Sequence, residues 1–275
     1  MLVIGTNMAA IRAANAAAAA QRQVAISMER LSTGTRINRA SDDPAGFAIA
    51  DRMAAQIRGM SQSVRNASDS LSMLQTADST LGEVTSMMHR IRELAVQSAN
   101  GTYSDDDRAN LQIEVDQLSE QIGLTLTNAR FNGRSMFALG SNPAVETRVQ
   151  TGANAADTLT ITSAALDVTD VTGGISIDSA DDARAALQTM DDALKAVSTQ
   201  RATLGASSSR LESVIANLNN GIVNLTEARS RIEDTDYAAE TMALAKAQIL
   251  AQVSMAMLAQ ANQSQQLILQ LLRSV

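Results

Sequence analysis

The stretch that decides the fold is SDDPAGFAIADRMAAQIRGMSQSVRNASDSLSMLQTADSTLGEVTSMMHRIRELAVQSANG, Ser41–Gly101. It opens on Ser41-Asp42-Asp43-Pro44, acidic capping residues and then proline at a first helical position. There the fixed φ and the missing N–H are assets. Apolar positions then recur as Ile49, Met53, Ile57, Met60, Val64, Ala67, Leu71, Leu74, Leu81 and Met88. The steps alternate 4 and 3, with polar interruptions at Asp78 and Thr85, which is a heptad seam. Asn100-Gly101 ends it. A helix from Pro44 to Asn100 would be about 85 Å long at 1.5 Å per residue. A compact 275-residue globule has a radius of gyration of only roughly 19 Å. The stretch therefore predicts a rod and an elongated domain.

Composition supports a rod over a pocketed globule. The chain has 48 Ala but only 3 Phe, 2 Tyr and no Trp, so large aromatics cannot anchor its core. Small residues suit helices that approach closely. With no Cys there are no disulfides or thiolate metal sites, and one His makes a His-based zinc site or a catalytic relay unexpected. No nucleophile–base pair, phosphate loop or metal cluster stands out, so neither catalysis nor a cofactor is expected. A net charge of -7 and a pI near 4.8 disfavour nucleic acid as a partner. No unbroken run of 18–20 apolar residues occurs, so no membrane span is expected, and the first residues lack the basic region of a secretory signal.

Outward from the rod the chain is nearly symmetric. Residues Ile4, Met8, Ile11, Ala18, Ala25 and Met28 share one face of an N-terminal helix ending near Leu31. After the rod, Ser104 caps a helix to about Asn128, with Asp105, Asp106 and Asp107 at its positive end. Phe131-Asn132-Gly133-Arg134 reads as a tight hairpin. Period-2 alternation at Glu146–Thr151, Thr158–Thr162 and Ile175–Ile177 marks a small β-rich insert. Ser179 or Asp178 then caps a second long helix. Its seam carries Leu187, Met190, Leu194, Val197, Leu204, Leu211, Ile215 and Leu218, interrupted by Arg201, Ser208 and Arg229. A break at Ile232–Asp236 precedes a last helix from about Tyr237 to Leu272, with Leu250, Val253, Met257, Ile268 and Leu271 near one face.

The expected fold is mainly α: an elongated antiparallel helical bundle or coiled-coil rod with paired terminal helices and a small β-rich insert at the far end. Leu71, Leu74, Leu204, Leu211, Ile215 and Leu218 are its candidate rod-packing residues. The terminal helices bury too little to offset about 1–2 kcal/mol of ordering cost per residue. Their apolar residues, Ile4, Met8, Ile11, Leu250, Val253, Met257, Ile268 and Leu271, are therefore expected to order against other copies.

Several motifs in fixed order resemble bacterial flagellins. They are Leu31–Asn38 (LSTGTRIN), Ala40–Gly46 (ASDDPAG), Arg92–Gly101 (RELAVQSANG), Phe131–Gly133 (FNG), Ala228–Ala238 (ARSRIEDTDYA) and Gln260–Gln263 (QANQ). The resemblance implies a filament-core domain from 1–40 and 234–275, a helical rod domain from 41–142 and 178–233, and a short variable insert at 143–177. It implies a subunit that self-assembles into the helical flagellar filament for swimming motility, exported uncleaved by the flagellar type III apparatus to an extracellular filament. The implied partners are other flagellin subunits, hook–filament junction and cap proteins, and an export chaperone on the C-terminal helix, roughly Leu244–Leu272. A host Toll-like receptor patch matches Arg90, Leu94 and Glu114, although subunit packing explains the same residues. The insert's Thr158, Thr160 and Ser163 are candidate O-glycosylation sites, although β-propensity and solubility explain the same residues. Two alternatives are a hook–filament junction protein, which shares the terminal motifs, and a closed coiled-coil scaffold.

Overall fold

The structure, a computed structural model, describes residues 6–138, 140, 143–163, 166 and 168–273, with side chains through Leu267. Helices α1 (Met8–Thr33), α2 (Pro44–Ser98) and α3 (Asp105–Asn128) come first. Strands β1 (Arg130–Phe131), β2 (Arg134–Ser135), β3 (Val145–Gln150) and β4 (Thr158–Ser163) follow. Helices α4 (Thr169–Thr172), α5 (Ala180–Glu233) and α6 (Tyr237–Arg273) complete the chain. The chain forms two compact units, residues 56–223 and residues 1–55 with 224–275, and α2 and α5 contribute to both.

The long helices start and stop where capping chemistry dictates. Asp43 accepts from the backbone N–H of Ala45 and Gly46 at 3.1 and 3.0 Å, so it caps α2. Asp42 instead accepts from Asn38 and Arg39, closing the turn before it. Ser104 and Asp107 form a reciprocal capping box on α3, which holds the Asp107 carboxyl below its usual range. Of the two candidate caps on α5, Ser179 accepts from Asp182 N at 3.1 Å.

In the unit of residues 56–223, α2 and α5 run antiparallel. Arg92 meets Asp191 at 2.7 Å and Asp78 meets Arg201 at 2.8 Å, and Met60 lies beside Gly221. Both seams face this core. Leu74, Leu81, Met88 and Ile91 from α2 join Met190, Val197, Leu204 and Leu211 from α5, with Val115, Ile122 and Leu126 from α3. Each fully buried side chain of this size contributes about 1.5–3 kcal/mol. Leu74, Leu204, Leu211 and Leu218 are buried, and Leu71 and Ile215 lie half-buried at the edges.

The β-rich segment needs one correction. β1 and β2 form the expected hairpin, with Asn132 and Gly133 at φ 48° and 79°, the twist of a type I′ turn. β3 and β4 pair antiparallel from Val145–Ser163 to Gln150–Thr158. Ile175–Ile177 is not a strand. Its backbone is held by side chains instead: Gln112 donates to Ile175 O at 2.6 Å and accepts from Ile177 N at 2.6 Å, and Ser98 donates to Ile177 O at 2.5 Å. Alternation marked two buried isoleucines correctly but could not say what completes their hydrogen bonds. The short α4 carried no sequence signal.

The other unit is built on α1 and α6. Their facing residues are mostly small: Ala10, Ala13, Ala17, Ala20, Val24 and Ser27 on α1, and Ala247, Ala251, Ser254 and Ala261 on α6, with Leu244 and Leu258 completing the 3–4 spacing of α6, all buried or half-buried. Asn7 caps α1 through Ala10 N and also donates to Ala261 O at 2.9 Å, tying the antiparallel pair at one end. At the other end the two breaks clasp each other. Arg36 N donates to Glu233 O, Thr235 N donates to Gly34 O at 3.0 Å, and Thr35 and Asp234 form an isolated antiparallel bridge. Gly34 ends α1 at φ 75°, a position that favours glycine, beside the Tyr237 hydroxyl. Asp236 caps α6 through Ala238 and Ala239 N.

Candidate functional site

Two kinds of apolar surface lie on α1 and α6. The inner face is the alanine stripe. The outer face carries the large side chains: Met8, Ile11 and Met28 on α1, and Met242, Leu250, Val253, Met255 and Met257 on α6, each between 46% and 67% exposed. Burying the small residues and exposing the large ones inverts the usual order of a soluble helix pair. The terminal residues singled out from sequence fall on this outer face wherever they are described. Ile4 lies outside the described residues, as do the side chains of Ile268 and Leu271.

One expectation about α6 changes. Residues Tyr237–Leu267 are long and apolar enough, by length and composition, to cross a membrane, with a most apolar 18-residue window of mean hydropathy 1.4 that is 6% buried. An unbroken apolar run is absent because Gln and Ser recur along the helix and Lys246 interrupts it, yet the average is high because Ala, Leu and Met lie between them. Composition of this kind in a single helix is weak evidence for a span.

The polar interruptions of the two long seams meet. Arg201 donates to both Asp78 carboxylate oxygens, at 2.8 and 3.2 Å. The guanidinium hydrogen bond, with its charge, holds Asp78 below the usual carboxylate range and raises Arg201. Each residue read alone was a gap in an apolar seam.

The candidate receptor patch does not assemble as three surface residues. Arg90 and Glu114 pair across α2 and α3 at 2.8 Å and are half-exposed. Leu94 is 1% exposed and belongs to the core of this unit. It continues the buried series Val84, Met88 and Ile91 of α2, while Arg90 lies at the edge of that face. On the insert, Thr158 and Thr160 point to solvent. Ser163 does not: it is 7% exposed and accepts from the buried Gln200 at 3.0 Å. Strand alternation put Leu159, Ile161 and Ser163 on the covered face together. His89 is exposed, and no group of three His, Asp or Glu able to hold a metal occurs among the described residues. Sequence reasoning missed the polar ties Gln112, Ser98 and Arg108. Arg108 donates to Asn100 O and Tyr103 O and so satisfies the turn after α2. No periodicity marks such a residue.

A helix pair with most of its large apolar side chains outward leaves that area uncovered in the single chain. The profile described as the bacterial flagellin N-terminal helical region matches residues 4–142. The one for the C-terminal helical region matches residues 187–272. The chain belongs to the bacterial flagellin family. The flagellar filament 33 kDa core protein of Treponema phagedenis is 41% identical over 293 residues, covering 99% of this chain and 100% of that protein. The flagellin of Halalkalibacterium halodurans is 42% identical over 276 residues, covering 99% and 100%. Among solved structures, a putative flagellar hook-associated protein from Vibrio parahaemolyticus shares the fold at TM-score 0.58 and 14% identity, over 70% of this chain and 100% of that one. As a flagellin, the chain is a structural subunit of the bacterial flagellar filament and serves motility, not catalysis. Its partners are other flagellin subunits, and its place is the extracellular filament.

Proposed function

We propose that the outer apolar faces of α1 and α6 are the surfaces through which flagellin copies bury one another. Met8, Ile11, Leu250, Val253 and Met257 form the described part of this contact; Ile4 and the side chains of Ile268 and Leu271 lie outside the described residues. The observation that carries this reading is the inversion on the terminal pair, where mostly small residues face inward and most of the large side chains outward. A contact that repeats with the same rotation and does not close yields a helical polymer. In this reading residues 1–40 and 234–275 are the filament-core domain. Residues 41–142 and 178–233 form the rod, packed together through Leu71, Leu74, Leu204, Leu211, Ile215 and Leu218. Residues 143–177 are the outer insert.

The same helix, roughly Leu244–Leu272, suits an export chaperone that covers it before assembly, with transit through the type III apparatus. The hook–filament junction and the cap would meet the same terminal helices at the two ends of the polymer. Innate-receptor recognition, where it occurs, falls to Arg90 and Glu114 without Leu94. Glycans, where present, sit on Thr158 and Thr160.

The test is the full chain with Leu250→Gln, Val253→Gln and Met257→Gln together, incubated with seed filaments. The expected outcome is no elongation by electron microscopy, with helix content by circular dichroism unchanged. Elongation as efficient as that of the unsubstituted chain would overturn the assignment.

A further inference from the structure

The methionines divide by position in the fold. Among the described residues, Met88, Met136 and Met190 are buried and Met53, Met60, Met73 and Met87 are half-buried, all outside the terminal helices. Five are exposed: Met8, Met28, Met242, Met255 and Met257, each more than half exposed, and every one lies on α1 or α6. A thioether is the most easily oxidised apolar side chain, and its sulfoxide is polar. A leucine would supply the same apolar area without that liability.

We propose that these five methionines are a modification site through which peroxide controls assembly. In the free subunit each exposed sulfur attacks a peroxide oxygen. A sulfur–oxygen bond forms and the oxygen–oxygen bond breaks. The thioether loses two electrons to become the sulfoxide, and hydrogen peroxide is reduced to water. The outer face of α1 and α6 thereby gains up to five polar groups where subunits would bury apolar ones, while the buried methionines of residues 56–223 keep the rest of the subunit intact. Assembly covers the same sulfurs, so the free subunit is sensitive and the filament is protected. This inference rests on the terminal faces being the assembly contact.

The experiment treats free subunits and preformed filaments of the full chain with hydrogen peroxide and maps sulfoxides by peptide mass spectrometry. In the free subunit, Met8, Met28, Met242, Met255 and Met257 are expected to oxidise well before Met88 and Met190. Oxidised subunits with unchanged helix content are expected to lose seeded elongation and to regain it after methionine sulfoxide reductase. In filaments the five are expected to be protected. A chain with all five replaced by Leu is expected to elongate before and after peroxide. If filaments protect the five but oxidised subunits elongate normally, the control by peroxide is wrong and the contact stands. If the five oxidise as fast in filaments as in subunits, the contact itself is wrong. If the all-Leu chain loses elongation on peroxide like the parent, the effect belongs to other residues and the proposal fails.

Discussion

The residue that best shows how this sequence encodes its register is Asp78. Alone it breaks an apolar seam, and so does Arg201 on the opposite helix. Together they form a two-pronged ion pair at the middle of the α2–α5 contact. The seams specify only that two helices pack, since a shift of one heptad would still bury Leu against Leu. A shift in either direction would separate Asp78 from Arg201 and lose the ion pair, setting them against Leu194 and Leu71 or against Ser208 and Thr85. Both are about 40–46% exposed, so solvent screens the pair, and a double-mutant cycle with Asp78→Ala and Arg201→Ala should return about 0.2–1 kcal/mol of coupling. The pH dependence follows from the direction of the shift. Asp78 is held below its ordinary value, so the stability it contributes is full above the unfolded-state pKa of about 3.9 and fades as pH falls through the lower folded value. Urea unfolding of Asp78→Asn should therefore lose less stability between pH 5 and pH 2 than the parent. Equal losses would show that the carboxylate contributes nothing.

The same scale explains two misplacements. Leu94 and Ser163 were singled out by their motif and their residue type, and both are enclosed. A motif match carries over which residue stands at a position, not which way that position faces. Ser163 was in fact readable from strand alternation, because it shares parity with Leu159 and Ile161.

Among the elements, what was legible was whatever repeats or caps. The 3–4 spacing located α2 and α5, and caps at Asp43, Ser104 and Ser179 set the starts of α2, α3 and α5. What was not legible was held by single long-range hydrogen bonds. Ile175–Ile177 follows the alternation of a strand, yet Gln112 from α3 completes its backbone. Gln112→Ala leaves that N–H and C=O without partners inside the fold, which costs about 1–3 kcal/mol. Thermal unfolding of the substituted chain should move to lower temperature, and an unchanged midpoint would refute the account. The terminal pair offers a contrast. Large residues near one face of each helix marked the outer surface, while the inner seam is mostly alanine and serine and so gives only a weak hydrophobic pattern. Ala17→Leu places a large side chain in a buried position between α1 and α6 at little change in helix propensity. Overpacking of this kind costs about 1–3 kcal/mol. Faster amide exchange is expected along α1 and α6, with residues 56–223 unaffected.

For the whole molecule, the absence of large aromatics and the abundance of alanine are two sides of one design. Residues 56–223 bury leucine, isoleucine, valine and methionine and form a core of their own. The terminal helices cannot do so with alanine alone, and they leave their large apolar side chains for other copies. The central claim is that assembly, not folding of the single chain, completes the burial of α1 and α6. Hydrogen exchange on the full chain before and after seeded polymerisation tests it most directly. The account expects amides of Met8–Thr33 and Tyr237–Arg273 to exchange fast in the free subunit and to gain the largest protection in filaments, while the core helices of residues 56–223 change little. Filaments in which the terminal helices exchange as fast as in the free subunit would contradict it.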